Sequence, residues 1–179
     1  MDSLATGFAP VGCAQPKVLV LGSLPGLASI KVQQYYGHPR NQFWPIIEAI
    51  TGEQHDTYID HVASLDHYGI MLWDVVHSAH RQGSLDSNIE RPGLRVNDFS
   101  FVVNSTCLEL IAFNGAAAEK LFKSHVLDAG SLKGLMSDQL PTQLPAMLRM
   151  PSTSPANASQ SFEQKLSKWK LLSRYVQTA

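Results

Sequence analysis

The sequence predicts an α/β sandwich built on a central, mostly parallel sheet, and three observations carry that expectation. Four short apolar runs, at residues 17–21 (KVLVL), 69–75 (GIMLWDV), 108–113 (LELIAF) and 146–150 (AMLRM), show no clean polar–apolar alternation. That is the pattern of parallel strands covered on both faces. Segments with apolar residues at helical spacing lie between them, and alternating strands and helices make layered α/β folds. Finally, each run passes into a cluster of Gly, Pro, Ser or Asn. In open parallel sheets ligands bind outside the carboxyl ends of the strands, so these clusters mark one candidate edge.

The elements follow in order. The first run enters Gly22-Ser23-Leu24-Pro25-Gly26. After it, Phe43, Trp44, Ile46, Ile47 and Ile50 recur at three- and four-residue steps and predict a helix. The second run leads into Asp74 and then His77-Ser78-Ala79-His80-Arg81. Residues 81–93 are polar and irregular and read as a long loop. The third run ends in Asn114-Gly115, and residues 116–122 are rich in helix formers. The fourth enters Pro151-Ser152-Thr153-Ser154-Pro155-Ala156-Asn157, and Phe162, Leu166, Trp169 and Val176 predict a closing helix. With no internal repeat or linker, residues 1–179 read as one domain, the first 15 or so being a lead-in.

Composition narrows the classes. The chain has 179 residues, 44% hydrophobic and 16% charged, enough to bury a core. No apolar stretch approaches the length of a membrane span, and Met1-Asp2-Ser3 opens without the pattern of a signal peptide. The two cysteines, Cys13 and Cys107, fit a reducing cytoplasm and cannot supply a four-cysteine metal site. His77 and His80 stand three apart with no third ligand nearby, so no metal is expected. The net charge is −1, whereas phosphate neutralisation supplies much of the affinity of nucleic-acid binders. A DNA-binding reading therefore requires a small footprint.

Several motifs carry chemistry. The loop at residues 22–26 lets backbone approach a ligand closely, though it matches neither the dinucleotide fingerprint nor the lysine-bearing phosphate loop. In the run YYGHPRNQFW at residues 35–44, aromatics can stack on a nucleobase, Arg40 can meet a phosphate, and Asn41 can read a base edge. Asn41 also stands where a helix cap belongs, its side chain accepting from the N–H of Phe43 or Trp44. Asn114-Gly115 equally suits a cap and Ser154-Pro155 a turn. No Gly-x-Ser-x-Gly elbow supports a serine hydrolase.

Taken in order, GSLPG, YYGHPRNQFW, LWDVV with GSLDSNI, AFNGAAA and PSTSPANAS resemble the hypoxanthine-DNA (deoxyinosine) glycosylases. These form one branch of the uracil-DNA glycosylase superfamily, and the resemblance runs from about Val18 to the C-terminal helix. It implies a three-layer sandwich on a four-stranded parallel sheet, with a flipped-base pocket at the carboxyl edge. The implied activity is monofunctional hydrolysis of the N-glycosidic bond of deaminated bases in DNA, hypoxanthine first, by a monomer without metal or organic cofactor. The resemblance places the catalytic amide at Asn41. Tyr36 would stack on the extruded base, and Asn114, Gly22 and Ser23 would line its pocket. Arg40 would meet the DNA backbone, and Ser152, Ser154, Pro155 and Asn157 lie in the segment that would enter the duplex. Two positions depart from the wider superfamily: Leu24 stands where many relatives carry a water-activating Asp or Asn, and Ser152 stands near the place of a catalytic His.

The chemistry suits those roles. Hypoxanthine presents an N1–H donor beside an O6 acceptor, which an amide can pair with, whereas adenine has the reverse polarity. Uracil repeats hypoxanthine's polarity, so a uracil or mismatch glycosylase is the nearest alternative. A nucleotide-binding α/β module without catalysis is the alternative from another class.

Overall fold

Val18, Leu19, Val20 and Leu21 are fully buried, because β3 (Val18–Gly22) is the middle strand of a five-stranded sheet. The computed structural model describes residues 3–128 and 144–176. The sheet order is β2 (Val11–Gly12), β4 (Ile70–Asp74), β3, β7 (Leu110–Asn114) and β8 (Ala146–Met150). The four strands expected from the apolar runs are all present and run parallel. The expected count of four was one short, since β2 adds an antiparallel edge against β4. Two residues of strand are too few to show a period in sequence.

Side chains alternate across β3 and divide the core in two. Val18 and Val20 join Phe43, Ile46 and Ile47 of α2 (Phe43–Thr51), Leu65 of α3 (Tyr58–His67) and Trp169 of α6 (Phe162–Trp169). Leu19 and Leu21 join Val102 of α4 (Ser100–Asn104) with Ala118 and Phe122 of α5 (Ala116–Phe122). Helices thus cover both faces, as the three-layer expectation required. The C-terminal helical segment continues as a 3-10 turn over Lys170–Arg174. Each fully buried aliphatic side chain contributes about 1.5–3 kcal/mol, so the mid-sheet strands are the most costly place for truncation.

A second sheet departs from the sequence reading. Ser3–Thr6 (β1), Val76–Arg81 (β5) and Arg95–Val96 (β6) form a three-stranded antiparallel sheet in the order β1-β5-β6. His77–Arg81, read as a strand-end cluster, is therefore itself strand. The loop expected over residues 81–93 begins at the last residue of β5, where Arg81 bridges Ile89, and it carries a 3-10 turn at Asp86–Asn88. The reason is visible in β5: its buried positions include Ser78 and Arg81. Polar residues facing inward erased the alternation that marks a strand. The N-terminal lead-in supplies β1 and β2, apart from Met1 and Asp2, which lie outside the described residues.

β3 connects to β4 on one side, and the chain then returns to the other side as β7 and β8. Sheets whose order reverses in this way open a crevice at the carboxyl ends of the strands flanking the reversal. Gly22 ends β3 and Asn114 ends β7 at that place.

Candidate active site

A cavity of about 310 Å³ occupies this crevice, the lower end of the size range of small-molecule sites. Three segments wall it: residues 22–29 after β3, residues 84–86 beyond β5, and residues 152–156 after β8. Of the residues expected at the site, Gly22, Ser23, Tyr36, Asn41, Asn114, Ser152, Ser154 and Pro155 line it. Arg40 and Asn157 do not. His38, Asp74, Asp86 and Thr153 also line it, and no role had been read for them.

Asn41 precedes α2, and its Oδ1 accepts from the N–H of Phe43 at 3.0 Å. The expected bond to Phe43 is therefore present, but the N-cap of α2 is Gln42, so Asn41 braces the turn one residue ahead of the helix cap. That bond leaves the Nδ2 end, two donors, as the part of the amide free of the helix. His38 Nδ1 accepts from the Arg40 N–H at 3.0 Å, which puts the proton of a neutral ring on Nε2. Arg40 itself is exposed.

Asn114 is differently engaged. Its Nδ2 donates to Thr153 Oγ1 at 2.8 Å, and its Oδ1 accepts from the Thr153 N–H at 2.9 Å. The amide thus ties the end of β7 to the loop after β8, with one proton and one lone pair left over. That loop is held from other sides too. Gln42 N–H donates to Thr153 O at 3.0 Å, and Trp169 Nε1 donates to Pro151 O at 2.9 Å. The buried Lys165 donates to both Gln42 Oε1 and Asn157 O at 2.9 Å. Asn157 braces the same loop through Ser152 O. Gly115 sits at φ +99°, and a Cβ there would lie 3.0 Å from that of Ser152, so the close approach of the loop depends on glycine.

The loop after β3 is held by a buried cation. Arg81, 2% exposed, donates to Leu24 O at 3.2 Å, to Gly83 O at 3.0 Å and to Pro25 O. Ser23 Oγ donates to Asp86 Oδ1 at 2.5 Å. Leu24 is buried among Ala5, Val76 and Ala79. Its side chain belongs to the small sheet's core.

Two polar atoms in the cavity wall have no partner among the described residues. They are the Tyr36 hydroxyl and Asp74 Oδ2, both buried. They flank Gly22, where a Cβ would come within 2.3 Å of Asp74 Oδ1 and 3.5 Å of the Tyr36 hydroxyl. Leaving such groups unpaired costs about 1–3 kcal/mol each. Among the described residues Tyr36 is also one of two non-glycine residues at positive φ, 56°, a conformation that costs about 1–3 kcal/mol and clusters at functional sites. Its ring stacks on Phe43 at 4.1 Å, which occupies one of its two faces. Burial, then the Asp86 charge, push the Asp74 carboxyl up to about 7, Arg81 opposing them. Burial and then Asp74 raise the Tyr36 hydroxyl, the neighbouring Asn114 amide opposing them, and the hydroxyl stays protonated at neutral pH. Asp74 was missed because the run before it read only as a strand. The available signal was an ionisable residue closing a buried apolar strand at the ligand-binding edge.

Among the described residues no group of three or more His, Cys, Asp or Glu could hold a metal ion, and no helix is long and apolar enough to cross a membrane.

A cavity that joins paired amides, a buried carboxyl and an aromatic hydroxyl at a sheet reversal point suits recognition of a polar planar ligand such as a nucleobase. The sequence pattern described as the uracil DNA glycosylase superfamily matches residues 9–175. The chain belongs to that superfamily and is a DNA glycosylase. It is 40% identical over 112 residues to a hypoxanthine DNA glycosylase of Methanosarcina barkeri, covering 61% of this chain and 70% of that protein. It is 42% identical over 115 residues to a hypoxanthine DNA glycosylase of Methanosarcina acetivorans, covering 63% and 72%. A solution NMR structure from Methanosarcina acetivorans, provisionally described as a uracil DNA glycosylase, is also similar. It aligns with a TM-score of 0.75 and 33% identity over 96% of this chain and 98% of that one.

Proposed function

We propose that this glycosylase extrudes hypoxanthine from DNA and hydrolyses its N-glycosidic bond, leaving an abasic site. The observation that carries the reading is the pair of unpartnered buried groups, the Tyr36 hydroxyl and Asp74 Oδ2. A lactam edge satisfies both: the hydroxyl donates to O6, and the ionised carboxylate accepts from N1–H. Adenine brings a lone pair at N1, which an ionised carboxylate repels. Uracil's N3–H and O4 fit the same pair, so uracil is the second substrate expected.

Asn41 has the catalytic role in this reading. With its oxygen spent on Phe43, its Nδ2 protons are oriented to stabilise charge developing on the departing base, a preorganised donor of the oxyanion-hole kind. The glycosidic electrons leave with the base, water adds to the sugar carbon, and the water's proton returns to solvent or base. Tyr36 offers its open ring face for stacking, while Gly22 and Ser23 supply close backbone. Asn114 acts chiefly by positioning Thr153 and the loop carrying Ser152, Ser154 and Pro155, with Asn157 as its brace. The enzyme works as a monomer in the cytoplasm, where Cys13 and Cys107 remain free thiols.

An end-labelled duplex bearing one inosine, incubated with the protein and then treated with alkali, tests the reading. Cleavage at the inosine is the expected result, and an alkali-stable strand would refute it.

Binding to DNA should show a small electrostatic footprint. Log affinity against log salt is expected to have a slope magnitude of about 2–4, at about 0.9 per phosphate neutralised. Arg40→Ala should weaken binding to inosine-containing and normal duplex alike and lower the slope by about one. An unchanged slope would remove Arg40 from the phosphate contacts.

A further inference from the structure

Lys165 in α6 is a buried cation without a counter-ion. It is 2% exposed, and its Nζ donates to Gln42 Oε1 and to Asn157 O, each at 2.9 Å. Both acceptors are neutral, and among the described residues no carboxylate pairs with it. Burying an ammonium without a counter-charge is unfavourable, and an apolar side chain of the same volume would fill the space at lower cost. What the charge supplies is two strong, directed bonds from one atom. They end on the two segments that carry Asn41 and the loop after β8. Gln42 follows Asn41 directly and is the N-cap of α2, and Asn157 closes the loop. Trp169, one helical turn beyond Lys165 on the same face of α6, donates to Pro151 O at the start of that loop. One face of α6 therefore grips the loop at both ends, and Lys165 reaches the catalytic turn as well. The helix is a firm platform, since a capping box of Ser161 and Gln164 fixes its first turn. Backbone completes the circuit, the Gln42 N–H donating to Thr153 O in the middle of the loop.

We propose that Lys165 is a positioning residue, its ammonium holding the turn that carries Asn41 and the loop after β8 in one register. Contact of the loop with DNA then sets the Asn41 amide against the departing base. Lys165 acts only through Gln42 and Asn157. The assignment rests on the glycosylase reading in taking Asn41 as the catalytic amide and DNA as the partner.

The two arms are separable. Gln42→Met breaks the arm to the catalytic turn and leaves the backbone bond from residue 42 to Thr153 in place, whereas Lys165→Met breaks both arms. Two quantities are measured for each variant. One is the single-turnover rate of hypoxanthine release from a duplex bearing one inosine, and the other is the affinity for a duplex carrying a stable abasic-site analogue. Lys165→Met should lower the rate about 10- to 100-fold, the scale of loss when a reacting group is slightly misplaced. It should also weaken binding about tenfold, as the loop loses a charged donor. Gln42→Met should lower the rate about tenfold and leave the affinity near that of wild type. A lysine that served stability alone would lower the melting temperature of both variants, while the folded enzymes kept the wild-type rate and affinity. That result would overturn the proposal, and so would equal losses of rate and affinity in Gln42→Met. Should Lys165→Met fail to fold, Gln42→Met decides by the same split. Absence of hypoxanthine release by wild type would instead refute the substrate reading. Equal affinities of wild type and Lys165→Met for the abasic duplex would then still overturn the positioning role.

Discussion

Asn41→Ala is expected to lower single-turnover release of hypoxanthine by at least 10²–10³-fold, the loss seen when one preorganised donor is taken from a charge-stabilising site. Its amide has two jobs, and a single substitution removes both. The bond from the Phe43 N–H to Oδ1 makes it part of the entry into α2, and losing such a hydrogen bond costs about 0.5–1.5 kcal/mol. Asn41→Asp separates the jobs. Aspartate keeps an acceptor for Phe43 while removing the Nδ2 donors, so the melting temperature should hold while base release collapses as in Asn41→Ala. Paired thermal melts and single-turnover assays read both. An Asn41→Asp enzyme that is stable and fully active would reduce Asn41 to a brace at the entry of α2.

Asp74→Ala is expected to slow hypoxanthine release by about 10- to 100-fold, since hydrogen bonds to charged groups are worth about 1.5–3 kcal/mol. Selectivity over adenine should fall with it. The pH dependence is more diagnostic, and its sign follows from the raised carboxyl, about 7 in the folded protein against an ordinary value of 3.8. Below about pH 7 the group is protonated and donates, so it cannot accept from N1–H. Discrimination for inosine over adenine should therefore grow as pH rises through about 7. Stability runs the other way. The folded state holds this proton more tightly than the unfolded chain, so the group's contribution is greatest below about 3.8 and is lost as pH climbs towards 7. Activity is gained across the interval in which stability is given up, and Asp74→Ala should abolish both trends. A wild-type selectivity that is flat from pH 6 to 8 would remove Asp74 from base reading.

Much of this architecture was legible in the residues. The run 17–21 reads as a strand because its neighbours cover it from both sides, leaving hydrophobicity as the only requirement. The run 146–150 is apolar enough to read as one although it forms the sheet's edge with Ala146 and Arg149 exposed. Residues 116–122 read as a helix and form one with the same bounds. What stayed hidden had a physical cause in each case. β5 buries Ser78 and Arg81 along with Val76 and Ala79, so its buried positions mix polar and apolar residues and show no clean period. Two-residue strands such as β2 have no period to detect. At the site, Asn41 could be picked out from its aromatic and basic company, yet its bond to Phe43 and its free donors are compatible, and only geometry separates the two ends of the amide. Asn114 read as a pocket residue, and it lines the cavity, but its tie to Thr153 spans 39 positions in sequence. Nothing local announces that partner. Asp74 and the Tyr36 hydroxyl became informative only when both were found buried and unpaired beside Gly22.

The most direct test of the account is a single-turnover panel at pH 8 with four matched duplexes, carrying inosine, uracil, xanthine or adenine at one position, with the released base identified by mass. A lactam-reading pocket predicts free hypoxanthine released fastest, uracil and xanthine more slowly, and adenine slowest by orders of magnitude. It predicts too that Asp74→Ala narrows the interval between inosine and adenine. Adenine released as fast as hypoxanthine by the wild-type enzyme, or an interval untouched by Asp74→Ala, would contradict it.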